Sequence, residues 1–131
     1  MPDIVGVLAA TIVSFIIGAV WFAPQVFGRT WMTLLKKTDE DWKNNRMKAI
    51  VVGFIANLIT AYLLGVFLRF AGALDWVDGI EVALLAWLAF AFTYHLSTWA
   101  FEGRPGKLFG IDLSHSLVIF IVMGAILGMW H

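Results

Sequence analysis

Four long runs of apolar residues dominate the chain, and each is bounded by short polar or charged segments. The runs cover about residues 4–23, 48–70, 79–101 and 108–130. Each is about 20 residues or longer, which is the length of an α-helix that crosses the hydrocarbon core of a bilayer. The pattern therefore predicts one all-α domain of four transmembrane helices.

Short connections separate the last three runs, so we expect helices two, three and four to be antiparallel neighbours in a bundle. Asp78 and Glu81 lie three residues apart at the start of the third run and resemble a capping box. The composition agrees with a membrane protein, since 61% of the 131 residues are hydrophobic and 14% are charged. A soluble domain has about 45–50% apolar and about 25% charged residues.

The charge balance and the residue types exclude several classes of function. Nine basic and nine acidic residues give a formal net charge of zero, so nucleic acid is not an expected partner. The chain has no cysteine, which excludes disulfides, thiolate metal ligands and redox thiols. It carries no P-loop, HExxH, nucleophile-elbow or dinucleotide-binding pattern. The sequence therefore argues more against an enzyme than for one, and no cofactor is expected.

Lysine and arginine are distributed unequally between the two ends of the predicted helices. The first and third connections carry eight of these residues, whereas the second carries Arg69 alone. Positively charged loops tend to stay in the cytoplasm. We therefore expect a bacterial inner-membrane protein with these two connections in the cytoplasm and both termini outside it.

The first connection has a pattern of its own. Its apolar residues fall at near-helical spacing beside several cations, and they are Val26, Phe27, Trp31, Leu34 and Leu35. This spacing is typical of a short helix that lies in the membrane interface, and a plain solvated loop is the alternative. Thr38 and Asp41 form a second capping pattern, which predicts that the second long helix begins near Asp39.

Small residues recur every four positions on two helices and make a groove along one face of each. On the first helix they are Gly6, Ala10, Ser14 and Gly18, and on the second they are Gly53, Asn57, Ala61 and Gly65. We expect these two helices to meet along the grooves. Gly124 and Gly128 form a similar pair on the fourth helix, either within the monomer or between subunits. Because so small a bundle has few internal partners for these faces, we expect a homo-oligomer.

Six polar residues mark a candidate pocket in the cytoplasmic half of the predicted bundle. They are His95, His115, Asp112, Asn57, Ser14 and Glu102. His95 precedes Pro105 by ten residues and His115 follows it by ten, so a hairpin centred there brings both imidazoles to similar depth. We expect the two histidines to face each other.

The chemistry of this pocket is open at the level of sequence. The candidate metal ligands are His95, Glu102, Asp112 and His115, which are residue types that bind zinc or other transition metals. The same groups can relay protons. They are also compatible with ordinary hydrogen bonds between helices.

Three functions follow from these readings. The first is a binder or conductor of a small solute, an ion or protons through the polar pocket. The second is a metal-dependent membrane enzyme that acts on a lipid-like substrate. The third is a structural subunit that contacts another protein through its cytoplasmic segment.

An aromatic-proline-glycine motif follows the first run in the segment WFAPQVFGRTWM. Its residues are Trp21, Phe22, Pro24, Phe27, Gly28 and Trp31. With the charged connection, the three further runs and the polar His115 segment, the chain resembles the small bacterial membrane proteins of the domain of unknown function 1761. The resemblance implies four transmembrane helices over nearly the whole chain, and it implies no activity, substrate or cofactor.

Overall fold

The computed structural model describes residues 2–130, and all regular structure in that range is helical. The helices are α1 (Ile4–Trp21), α2 (Arg29–Leu34), α3 (Asp39–Ala71), α4 (Trp76–Ala86), α5 (Thr93–Glu102) and α6 (Gly106–Met129). A π-helical segment, Pro24–Gly28, precedes α2, and a second, Trp87–Phe92, joins α4 to α5 in one long helix. Four helices are long and apolar enough to cross a membrane, which confirms the predicted all-α fold with four such helices.

The start of α3 has the predicted capping box. The hydroxyl of Thr38 accepts a hydrogen bond from the backbone N–H of Asp41 at 3.1 Å, and the Asp41 carboxylate accepts one from the N–H of Thr38 at 3.0 Å. From this cap α3 runs for 33 residues. A helix of that length is about 50 Å long, against a hydrocarbon core of about 30 Å. The charged first turns of α3 therefore extend beyond the apolar layer.

The start of α4 differs from the sequence prediction. Its N-cap is Asp75, whose carboxylate accepts a hydrogen bond from the N–H of Asp78 at 2.9 Å. Asp78 in turn accepts one from the N–H of Leu74 at 2.9 Å. The predicted cap formed by Asp78 and Glu81 is therefore wrong, because an aspartate three residues earlier satisfies the first turn of the helix.

The buried core lies in the half of the bundle nearest the two chain termini. It consists of Val7, Ala10, Ala61, Leu64, Leu68, Ala83, Ala86, Ile119, Met123 and Leu127. We call this half the terminal end, and the opposite half, which carries α2 and most of the cations, the basic end. Toward the basic end the packing loosens, since none of the residues of α5 is buried and α3 is buried only from Ala61 onward.

The closest helix contact joins α4 to α6 through glycines. A Cβ atom built on Gly124 would lie 2.5 Å from the carbonyl oxygen of Gly79 and 2.6 Å from the Cβ of Ala83. Gly128 lies against the backbone of Asp75 in the same way. Gly79 thus lies opposite Gly124 and Asp75 opposite Gly128, so α4 and α6 run in opposite directions. The small pair on α6 is used within the chain, which decides between its two predicted roles.

The small residues of α1 are turned largely toward α6. Gly6 lies against the side chain of Trp130, and Gly18 lies against the imidazole of His115. On α3, Gly65 contacts Leu127 of α6, whereas a Cβ on Gly53 would have no atom within 4 Å. The grooves of α1 and α3 therefore do not simply face each other as expected. Helix α1 packs between α3 and α6 instead.

Replacing Gly124 by alanine tests the α4–α6 contact. We expect Gly124→Ala to lower the free energy of unfolding by about 1–3 kcal/mol, because the added methyl group overlaps the Gly79 carbonyl. Gly53→Ala is the matched control, since its methyl group enters open space and should leave stability unchanged or slightly higher. Unfolding of both variants in detergent micelles, followed by circular dichroism, measures the difference. Equal effects of the two changes would contradict the packing described.

Candidate functional site

A hydrogen bond between Trp31 and Asp112 ties the first connection to α6. The indole Nε1–H of Trp31 donates to Oδ1 of Asp112 at 3.0 Å. Phe22, at the end of α1, packs against the same indole with ring centroids 5.1 Å apart. Because the Trp31 indole contacts α6 through its N–H and the end of α1 through Phe22, α2 is fixed across the ends of α1 and α6.

The local sequence explains how the chain turns back to place α2 there. Pro24 cannot continue the hydrogen bonds of α1, and Ala23 takes an extended conformation before it. The N–H of Gly28 then donates to the carbonyl of Ala23 at 2.9 Å, which closes the turn. Lys36, with φ of 58°, ends α2 in the left-handed conformation. The predicted short helix is present, and its place in the membrane interface stays a prediction.

His115 lies one helical turn beyond Asp112 and is directed at α1. Its ring centroid is 4.9 Å from that of Phe22 and 6.2 Å from that of Trp21. A Cβ atom on Gly18 would lie only 3.2 Å from Nε2 of His115. The glycine therefore leaves room for the imidazole between the two helices.

Three buried polar atoms on α1 and α6 have no hydrogen-bond partner within residues 2–130. They are Oγ of Ser14, Nε1 of Trp21 and Nε2 of His115. Ser14 and Trp21 lie about one helical turn on either side of Gly18, where the imidazole sits. We call Ser14, Gly18, Trp21 and His115 together the α1–α6 seam.

The neighbouring hydroxyl of Thr11 behaves differently from that of Ser14. Both side chains are fully buried, at 0% exposure. The Thr11 hydroxyl donates to the carbonyl of Val7 at 2.7 Å, as buried hydroxyls in helices commonly do. Most buried polar atoms in proteins have a partner, so the three unpaired atoms of the seam require a specific explanation.

The register of the α5–α6 hairpin differs from the one expected from sequence. Trp99 packs against Phe109 with ring centroids 5.3 Å apart, and Nε1 of Trp87 donates to Oγ of Ser116 at 2.9 Å. The contact between Trp87 and Ser116 is not among those predicted from the sequence. A tryptophan in the middle of a span, facing a serine on the next helix, is the signal that could have found it.

The two histidines consequently do not pair within the described part of the chain. His95 lies on α5, and it forms no ion pair with Asp112 within 4 Å. His115 is turned away toward α1, where it contacts Phe22 and faces Gly18. The expectation that His95 and His115 face each other is therefore not met, because the rotation of α6 about its axis directs His115 toward α1.

The candidate metal ligands are likewise divided among separate contacts. Glu102 forms an ion pair with Arg104 at 2.9 Å, and both side chains are largely exposed. Between residues 2 and 130 no three His, Asp or Glu side chains are placed to hold a metal ion. The structure thus gives no support to a metal centre built from His95, Glu102, Asp112 and His115.

Asn57 also lies apart from the contacts made by His115. It is half-buried on the part of α3 that separates from the core, and its amide makes no hydrogen bond to any described residue. Of the six predicted pocket residues, Ser14 and His115 belong to the seam, with Ser14 one helical turn before the Gly18 that faces His115. Asp112 and His95 lie beside it toward the basic end.

Removing the indole donor of Trp31 tests the attachment of α2. We expect Trp31→Phe to lower the free energy of unfolding by about 1.5–3 kcal/mol, the usual contribution of a hydrogen bond to a charged group. Trp99→Phe is the matched control, because the Trp99 indole packs on Phe109 without a hydrogen bond to the described residues. Thermal unfolding in micelles compares the two. If Trp99→Phe loses as much stability as Trp31→Phe, the hydrogen bond between Trp31 and Asp112 does not attach α2 as described.

Comparison with known proteins identifies a family for nearly the whole chain. The family model described as protein of unknown function (DUF1761) matches residues 5–128. No curated protein and no solved structure gives a significant match. The match covers all four long helices, the α1–α6 seam and the contact between Trp31 and Asp112. The chain therefore belongs to the DUF1761 family.

Proposed function

We propose that the protein binds a small polar solute at the α1–α6 seam. The observation that supports this function is the set of three buried, unpaired polar atoms on Ser14, Trp21 and His115. Leaving such an atom without a partner costs about 1–3 kcal/mol. A solute bound between α1 and α6 would remove that cost. Because the three atoms are fully buried, binding requires the side chains of the seam to move apart and admit it.

The three atoms also restrict what the solute can be. The indole Nε1–H of Trp21 is only a donor, so the solute must offer an acceptor to it. The hydroxyl of Ser14 donates and accepts, and Nε2 of His115 does either according to its tautomer. A small molecule with an oxygen atom that both donates and accepts satisfies all three.

The packing of the terminal end favours binding over conduction. Beyond Ser14 the core is closed by Ala10 and Met123, both at 0% exposure, and by Leu64 at 3%. Thr11 lies in the same region, but its hydroxyl is already used by the backbone of its own helix. A solute that enters from the basic end therefore finds no polar path onward through one copy of the chain.

The location and assembly of the protein are part of the same proposal. The excess of lysine and arginine supports a bacterial inner membrane with the basic end in the cytoplasm and both termini outside. The exposed helix α5 supports a homo-oligomer, because a second copy would cover a surface that one chain leaves open. The solute would then be taken from the cytoplasm.

Ser14→Ala tests the seam directly. Purified wild-type protein should carry a small molecule that native mass spectrometry detects as an added mass, and Ser14→Ala should weaken its binding about tenfold through the loss of one hydrogen bond. Thr11→Val is the matched control and should keep the added mass, because its hydroxyl bonds within α1.

If the seam is dry and empty, the opposite result is expected for Ser14→Ala. No added mass would be found, and Ser14→Ala would raise the free energy of unfolding by about 1–3 kcal/mol by removing an unsatisfied hydroxyl. That combination would overturn the proposed function.

Flux measurements separate binding from conduction. Vesicles that contain the protein and a pH-sensitive dye should respond to a pH step no faster than protein-free vesicles, because the core of the terminal end is closed. A faster response that disappears in His115→Ala would contradict this proposal and favour a proton conductor.

A further inference from the structure

We propose that the solute of the α1–α6 seam is a small organic ammonium ion, whose charge is held by the carboxylate of Asp112 and the aromatic rings around it. This inference rests on the proposed function and adds the chemical class of the ligand. The contacts of Asp112 support this choice of ligand class.

The carboxylate of Asp112 has unused binding capacity. It is half-buried and accepts one hydrogen bond, from Trp31. A carboxylate has about four acceptor positions. Arg104 and Glu102 form the only ion pair within 4 Å among residues 2–130. No basic side chain of that range therefore neutralises Asp112. An acidic group inside a membrane-spanning helix generally has a partner of opposite charge.

The basic side chains of His95 and Arg104 do not supply this partner. Neither of them forms an ion pair with Asp112 within 4 Å. Arg104 is bound to Glu102 and directed to the surface. A ligand cation in contact with Asp112 would therefore compete with weak, long-range interactions only.

A series of aromatic rings leads from this carboxylate to the seam. Trp31 bonds to Asp112, Phe22 packs on Trp31, and Phe22 also packs on His115 with centroids 4.9 Å apart. Trp21 continues the series on the other side of His115. Ring faces attract ammonium groups, and aromatic residues beside a carboxylate are a common arrangement for recognising alkylated ammonium.

The same contacts disfavour an inorganic cation. Sodium, magnesium and calcium ions need several oxygen ligands. Asp112 offers one carboxylate, and its hydrogen-bond partner among the described residues is the indole N–H of Trp31, which cannot coordinate a metal ion. An organic ammonium ion fits this environment, and a hydroxyl group on it would reach the acceptor and donor positions of the seam.

Choline and 3,3-dimethylbutan-1-ol provide a direct test. The two molecules have nearly the same shape and the same hydroxyl group, and only choline is charged. Binding is measured by isothermal titration calorimetry on the full chain in nanodiscs at constant ionic strength, with protein-free nanodiscs as the blank. We expect wild type to bind choline at least tenfold more tightly than the neutral alcohol.

Two variants connect this preference to the named residues. Asp112→Asn should remove the preference for choline, and Trp31→Leu should weaken choline binding about tenfold through loss of the ring face. Asp78→Asn is the control and should bind as wild type does, since its carboxylate serves the backbone at the terminal end. Size-exclusion profiles establish that each variant is folded. If Asp112→Asn is not folded, two measurements decide the question: the ratio of the choline and alcohol affinities in wild type, and the choline affinity of Trp31→Leu.

Equal affinity for the two probes in wild type, or a preference for choline that survives in folded Asp112→Asn, would overturn the inference. The proposed function can be distinguished from it. If both probes bind equally and both are lost in Ser14→Ala, the ligand is not defined by charge, and the seam remains the binding site.

Discussion

A polar atom inside a lipid bilayer has no bulk water to bind, so it has to find its hydrogen-bond partner within the protein or its ligand. Several polar groups among residues 2–130 meet that requirement. Thr11 bonds to its own helix, and Trp87 bonds across to Ser116. Ser14, Trp21 and His115 are buried and do not, and they lie around Gly18 on α1 and opposite it on α6. That concentration of unmet hydrogen bonds is what distinguishes a site from ordinary helix packing.

The glycine contact between α4 and α6 explains where the site can be. Gly79 and Gly124 let the two backbones approach at the terminal end, and the apolar core closes around them. At the other end the helices separate, and the side chains there are larger and more polar. The chain thus combines a closely packed half with a looser half, and the proposed seam lies toward the looser half. Helix α2 is attached to that half through Trp31.

The elements could be predicted from sequence more readily than the contacts between them. Apolar runs of about 20 residues predict the four helices, and Thr38 with Asp41 predicts the start of α3, because these signals are local. The depth of His95 and His115 can also be estimated from residue counts. The direction in which each imidazole points cannot be predicted in this way, since it depends on the rotation of each helix about its axis. The bond between Trp31 and Asp112 joins residues 81 positions apart and leaves no local pattern.

The central claim is that the α1–α6 seam is occupied by a hydrogen-bonding molecule and is not a dry helix contact. The indole N–H resonance of Trp21, recorded by NMR in nanodiscs, tests this claim most directly, with the Trp87 indole as an internal reference that is bonded to Ser116. The account predicts cross-peaks from the Trp21 N–H to protons of a bound solute. Cross-peaks to protein aliphatic protons alone, with no exchange with solute or water, would contradict it.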